Sequence, residues 1–231
     1  MTDPDARAAE EQAGLLALLS AEERARWERI VVPSPRRQHL SARALLRTTL
    51  SRYVDAAPGD WSFGVNAYGR PHVEAPPAGR DLHFNLSHAD GLVALAIAGE
   101  REIGVDVENV TRGLDLDRLA PYAFAAAEAD AFAQAAETEK RSVFFAFWTL
   151  KEAYIKARGM GLSLGLDGFA FGIDAAEPAV AFSDKCPDDP ARWRFWRFYP
   201  TPRHALALAA PASVTEVRVI WTTLEAEAEP A

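Results

Sequence analysis

Two short stretches of the chain hold side chains able to do chemistry together. Asp106 and Glu108 stand two residues apart in IGVDVE (103–108). Glu152 follows about forty residues later, between Lys151 and Lys156, in FFAFWTLKEAYIKARGMGLSL (144–164). If 103–108 is a strand, alternation sets Gly104, Asp106 and Glu108 on one face and Ile103, Val105 and Val107 on the other. The two carboxylates then have Cα atoms about 6 to 7 Å apart and repel unless something positive lies between them. Gly104, without a side chain, leaves room beside them. Carboxylate oxygens without His or Cys favour a hard cation, Mg2+ or Mn2+, over zinc. Mg2+ held by a few carboxylates completes its shell with water and substrate phosphate oxygens, so the chemistry expected is a metal-assisted displacement at phosphorus. The bland alternatives are a solvent-facing polar strand edge and a Lys-Glu-Lys cluster snorkelling from a core helix.

The elements that must position these groups are legible around them. Residues 144–157 contain no Gly or Pro and read as a helix; Gly159 supplies its stop and Gly161 a second bend. At about 100° per residue, Phe144, Trp148, Lys151, Glu152 and Ile155 fall on one arc, with Phe145 and Lys156 at its edge. A carboxylate on such an apolar arc must be paired, hydrogen-bonded or metal-bound. Further upstream, 14–29 reads as one or two helices with Ser20 as N-cap, and 38–54 as another. Residues 20–55 carry eight arginines against Glu22, Glu23, Glu28 and Asp55. These arginines either form a solvated surface or, as with Arg37 and Arg43, bind phosphate through their paired donors. Residues 61–65, 81–88 and 92–98 read as strands, with a turn at NAYGRP (66–71). Ser87 and His88 therefore sit at a strand end, where side chains meet solvent or ligand. Residues 121–136 are Ala-rich and read as helical, with Asp117, Glu128 and Asp130 as surface charges. Strands follow at 162–173, 193–199, 204–210 and 216–221. Residues 1–13 are expected to be frayed and 225–231 to form a disordered acidic tail.

The composition narrows the class. The chain has 231 residues, 49% hydrophobic, enough for one large domain or two small ones. A net charge of -8 argues against a nucleic-acid partner. A single cysteine, Cys186, excludes an internal disulfide, fits a reducing compartment and reads as a loop residue. No stretch is apolar over the ~18 residues a membrane span needs. The first residues lack a secretory signal, so the cytoplasm is expected. Helices followed by strands recur in both halves, which fits an internal duplication.

Taken together, the motifs resemble the signature pair of the 4'-phosphopantetheinyl transferases. GVDVE (104–108) and WTLKEAYIK (148–156) carry the likeness, supported by NAYGRP (66–71), FNLSH (84–88), GMGLSL (159–164) and the segment with Arg37, Arg43 and Arg47. The spacing fits the larger, Sfp-type class. The resemblance implies an α+β fold of two similar halves, each a small, mostly antiparallel sheet packed with helices, with the active site in the cleft between them. The halves would be 1–102, with coenzyme A phosphate contacts and carrier docking, and 103–224, with the metal-binding acids. It implies a monomer that moves the phosphopantetheine arm of coenzyme A to a serine of an apo acyl or peptidyl carrier protein, releasing adenosine 3',5'-bisphosphate. Asp106, Glu108 and Glu152 would ligate Mg2+, and Lys156 would neutralise the pyrophosphate with Lys151 nearby. Ser87, His88 and Arg70 would contact coenzyme A phosphates, with Arg37 and Arg43 at the 3'-phosphate. The serine proton would go to Glu152 or to a metal-bound water near Glu108. One feature departs from the pattern: residues 1–14 hold no Trp-containing strand, so the N-terminal sheet is expected to lack one strand or the start to be internal. Outside this family, the residues leave open a non-catalytic coenzyme A or carrier-binding module, and a Mg2+-dependent phosphohydrolase.

Overall fold

The computed structural model describes residues 4–222; the acidic stretch 225–231 lies outside the described residues. The chain opens with three helices: α1 (Pro4–Ala17), α2 (Ala21–Arg29) and α3 (Pro33–Leu50). Residues 4–13 are thus helical where fraying was expected. Ser20 caps α2 in a reciprocal capping box with Glu23, which accounts for two backbone donors at the helix start. Pro33 and Pro35 occupy the first turn of α3, where a missing N–H costs nothing, so this helix begins earlier than its apolar periodicity indicates. Two antiparallel hairpins follow: β1 (Ser62–Val65) with β2 (Pro71–Ala75), and β3 (His83–Ala89) with β4 (Leu92–Ala98).

The second half starts with β5 (Gly104–Asn109). The helical stretch expected at 121–136 divides between α4 (Leu116–Ala123) and α5 (Ala126–Gln134), because Phe124 leaves helical geometry to bury its ring between Phe132, Phe144 and Phe147. The long α6 (Lys140–Arg158) ends at Gly159 in the left-handed region. After it come β6 (Phe169–Gly172), β7 (Ala179–Phe182), β8 (Trp193–Thr201) and β9 (His204–Pro211). Two short 3-10 turns occupy most of 161–168, so β6 is only the end of the strand expected there. Residues 216–221 form no strand; Val217 packs under the sheet, while Val219, Ile220 and Trp221 stay exposed.

The sheets are small and antiparallel: β1-β2, β3-β4, β6-β7 and β5-β9-β8. What joins the halves is an unusual seam between β3 and β5. On its edge away from β9, β5 presents the N–H groups of Val105 and Val107, and these donate to side chains of β3, Asn85 Oδ1 at 2.8 Å and Ser87 Oγ at 3.2 Å. The β4 edge away from β3 has no strand partner among the described residues. Aromatic residues of α6 anchor the largest core, against Phe124, Phe132, Phe169, Phe171, Trp193 and Phe195. No helix among the described residues is long and apolar enough to cross a membrane.

Candidate active site

The site forms where α6 crosses β5, and Gly104 explains how closely it does. A Cβ at Gly104 would lie 2.0 Å from the Ala153 carbonyl oxygen and 2.4 Å from the Ala157 nitrogen. The room left by the missing side chain is therefore filled by the helix backbone and not held open for a ligand. That approach brings Trp148, Glu152 and Lys156, spaced one turn apart, over the strand face carrying Asp106 and Glu108.

Asp106 is buried. Its Oδ1 accepts from Lys156 Nζ at 2.6 Å and from Ser87 Oγ at 3.0 Å, whereas Oδ2 is buried with no hydrogen-bond partner. Lys156 Nζ also donates to Ser87 Oγ at 2.9 Å and to the Val105 carbonyl at 3.2 Å. Ser87 thus accepts from Lys156 and from Val107 N–H and donates to Asp106, all below the surface. Glu108 accepts from Trp148 Nε1 at 3.0 Å and from Arg112 at 2.6 Å. The Glu152 carboxyl is pushed up from its ordinary value, first by burial, then by the negative charge of Asp106; Glu108 adds to this and Lys156 opposes it. Glu152 is thus within electrostatic reach of both other acids. Still, no group of three His, Cys, Asp or Glu among the described residues is closed around a common point. Lys156 and Arg112 hold Asp106 and Glu108 in ion pairs at 2.6 Å each.

His88 is exposed near the end of β3. Partial burial of its ring, then the positive charges of Lys156 and Arg43, lower its proton affinity. A cleft of about 420 Å³ opens beside Glu108, lined by Arg112, Leu119, Tyr122, Phe144 and Trp148 among others.

Three of the expected ligand contacts are corrected. Lys151 does not face the cleft: it is fully buried on the other side of α6, donating to Glu128 at 2.5 Å and to the Phe169 carbonyl at 2.6 Å. Glu128, expected on the surface, is fully buried with it, because α5 packs on α6 and β6. Arg70 is directed to backbone carbonyls and not to an anion: its terminal nitrogens donate to Lys156 O and Ala157 O at 2.6 Å each, and to Arg101 O and Ile103 O at 2.8 Å each. Arg37 and Arg43 leave α3 about 120° apart, as six residues on a helix dictate. Arg43 lies near His88 and 3.8 Å from Glu23, whereas Arg37 lines a separate groove with Gln38, Ser41 and Leu45. Arg47 is buried and structural, bonded to Glu23 and to the carbonyls of Pro58 and Trp61.

Sequence reasoning missed Asn85, Arg112 and the indole of Trp148. Asn85 sits inside FNLSH, where alternation already puts it on the Ser87 face. Arg112 stands four residues after Glu108, a spacing that means little outside a helix.

Comparison with known proteins bears on this arrangement directly. Residues 102–211 match the family model described as the 4'-phosphopantetheinyl transferase superfamily, and 7–100 match that of the 4'-phosphopantetheinyl transferase N-terminal region. The 4'-phosphopantetheinyl transferase HetI of Nostoc sp. is 35% identical over 165 residues, which span 71% of this chain and 69% of that protein. The chain belongs to the 4'-phosphopantetheinyl transferase family. A 4'-phosphopantetheinyl transferase of Bacillus subtilis is 32% identical over 160 residues, 69% of each chain. One from Bacillus pumilus is 29% identical over 223 residues, 95% of this chain and 91% of the relative. The family matches meet at 100–102, beside the β3–β5 seam against which the cluster of Ser87, Asp106 and Lys156 is built.

Proposed function

We propose that this protein transfers the 4'-phosphopantetheine arm of coenzyme A to a serine of an apo acyl or peptidyl carrier protein, releasing adenosine 3',5'-bisphosphate. The observation that carries the reading is the buried Asp106, with Lys156 on one carboxylate oxygen and no partner on the other, and Glu152 near enough to feel the charges of Asp106, Glu108 and Lys156.

The residues suit a divalent cation on their chemistry: carboxylate oxygens are offered, one buried oxygen of Asp106 has no partner, and Asp106 and Glu108 both make Glu152 harder to ionise, with Lys156 opposing them. Asp106, Glu108 and Glu152 would hold Mg2+, or Mn2+ in its place. When bound, the cation supplies charge neutralisation at a pyrophosphate.

The chain's own groups do the rest. The carrier serine oxygen bonds to the phosphorus next to the pantetheine arm, and the bond from that phosphorus to the bridging oxygen breaks. Negative charge grows on the bridging oxygen as it leaves. Lys156, anchored by Ser87 and the Val105 carbonyl, stands beside that charge and stabilises it more than it stabilises the bound ground state. Glu152 takes the serine proton. Glu108 is steered by the Trp148 indole and Arg112. Arg43 adds positive charge beside His88, where coenzyme A phosphates would enter, and the His88 ring can donate a hydrogen bond there. Ser87 acts beneath them as the strut between Lys156 and Asp106.

The reading includes two halves, 1–102 and 103–224, in a monomer working in the cytoplasm. Incubating the protein with coenzyme A, Mg2+ and an apo carrier, then weighing the carrier, tests the activity. One added phosphopantetheine arm per carrier is expected. Bound coenzyme A with an unchanged carrier would instead indicate a binding module, and free phosphopantetheine without any carrier a hydrolase.

A further inference from the structure

The turn between β1 and β2 is mostly a surface feature. Asn66, Ala67, Tyr68 and Gly69 are exposed, and Gly69 takes a positive φ of 84° that closes the turn. Two of its side chains nevertheless reach into the other half. Asn66 Nδ2 donates to the Gly159 carbonyl at 3.1 Å, and the Arg70 guanidinium to four carbonyls, all of which lie between residues 101 and 157. Two of those four belong to the last turn of α6, whose carbonyls carry the negative end of the helix dipole; the Lys156 carbonyl also accepts from Gly159 N–H at 3.1 Å. The other two flank the entry to β5. A planar guanidinium can bridge two such rows because it offers parallel donors in a fixed fork; an ammonium cannot.

The residue whose carbonyl Arg70 grips is Lys156 itself, the lysine that meets Asp106 with its side chain. Gly159 allows the grip: a Cβ there would lie 2.7 Å from Arg70 Cδ. We propose that Arg70 is a positioning residue, fixing the end of α6 against the start of β5 and thereby setting where Lys156 stands over Asp106, and that it does not itself contact coenzyme A. This rests on the transfer reading above. The lysine side chain is long and flexible, so its head is placed no better than its backbone is held.

The test uses Arg70→Lys and Arg70→Met in the full chain, with both coenzyme A and dephospho-coenzyme A, which lacks the 3'-phosphate. The proposal expects kcat to fall by roughly tenfold to a hundredfold, the scale of a small misplacement near reacting groups. KM for coenzyme A should stay within about twofold and the loss should be equal for the two substrates, because no ligand contact is removed. In a Lys156→Ala background, Arg70→Lys should cost less than about twofold, since its effect runs through Lys156. A raised KM with kcat preserved, a loss confined to coenzyme A, or a full loss in the Lys156→Ala background would each overturn it. Amide hydrogen exchange over residues 153–159 provides a readout independent of activity. Faster exchange in Arg70→Lys supports the clamp and unchanged exchange contradicts it. Should the wild-type protein transfer nothing, the transfer reading fails, and the exchange result alone decides the role of Arg70. If Arg70→Met does not fold, Arg70→Lys, which keeps the charge, carries the test.

Discussion

Two lysines of α6, five residues apart, each meet a carboxylate, and the two meetings differ in completeness. Lys151 and Glu128 are both without solvent exposure. Glu128 accepts from Lys151, from Ala125 N–H and from Phe171 N–H, and Lys151 donates in addition to the Phe169 carbonyl. Burial pushes Glu128 up and Lys151 down, and their contact opposes both shifts. Lys156 and Asp106, by contrast, are 27% and 7% exposed, and one Asp106 oxygen has no partner. A buried pair whose carboxylate has both oxygens bonded fixes helix against strand. A pair left short of one partner, with Lys156 partly exposed, is where the proposed reading places a ligand. Similar residue types on one helix thus serve fold and chemistry, and the hydrogen-bond count separates them.

Substitutions can break this contrast. The largest effect is expected from Asp106→Ala, which should lower transfer by roughly 10² to 10³-fold, the scale of removing a group aimed at developing charge, with little change in melting temperature. A loss of fold equal to the loss of rate would erase the distinction. Lys151→Met should do the reverse. Leaving Glu128 buried and unpaired costs about 3 to 5 kcal/mol in urea unfolding, with transfer per folded molecule close to wild type. Adding Glu128→Gln should restore at least part of that stability, because no lone charge remains buried; no recovery would mean that packing dominates there. Trp148→Phe removes one hydrogen bond to Glu108 and should cost transfer about 1.5 to 3 kcal/mol in activation terms, read from kcat/KM.

The smallest expected effect concerns pH. His39 binds its proton less readily than usual, first because it is buried and then because Arg43 is near. With a folded-state value below the ordinary 6.5, the unfolded chain binds the proton first, so stability is retained above about 6.5 and declines as pH falls below it. His39→Gln should flatten that acid slope in thermal unfolding.

What the sequence made legible was local. The Ser20 cap, the Gly159 stop and the alternation of 103–108 follow from rules that act over a few residues, and each appears in the structure. The face shared by Asp106 and Glu108, and the helix position of Glu152, followed from those rules as well. Partners across the fold were not legible. Lys151 lies on the same apolar arc as Glu152, and its turn away depends on Glu128, which only the packing of α5 buries. Arg70 sits in a turn whose neighbours in sequence say nothing about the end of α6. Residues 216–221 alternate like a strand, but a strand needs a paired edge, and none of the described strands hydrogen-bonds to them.

The most direct test compares wild type with Glu152→Gln in phosphopantetheine transfer to an apo carrier, followed by the carrier's mass, with circular dichroism confirming both folds. The account predicts a modified carrier with wild type and an unmodified one with the folded variant. Near-normal modification by Glu152→Gln would contradict it.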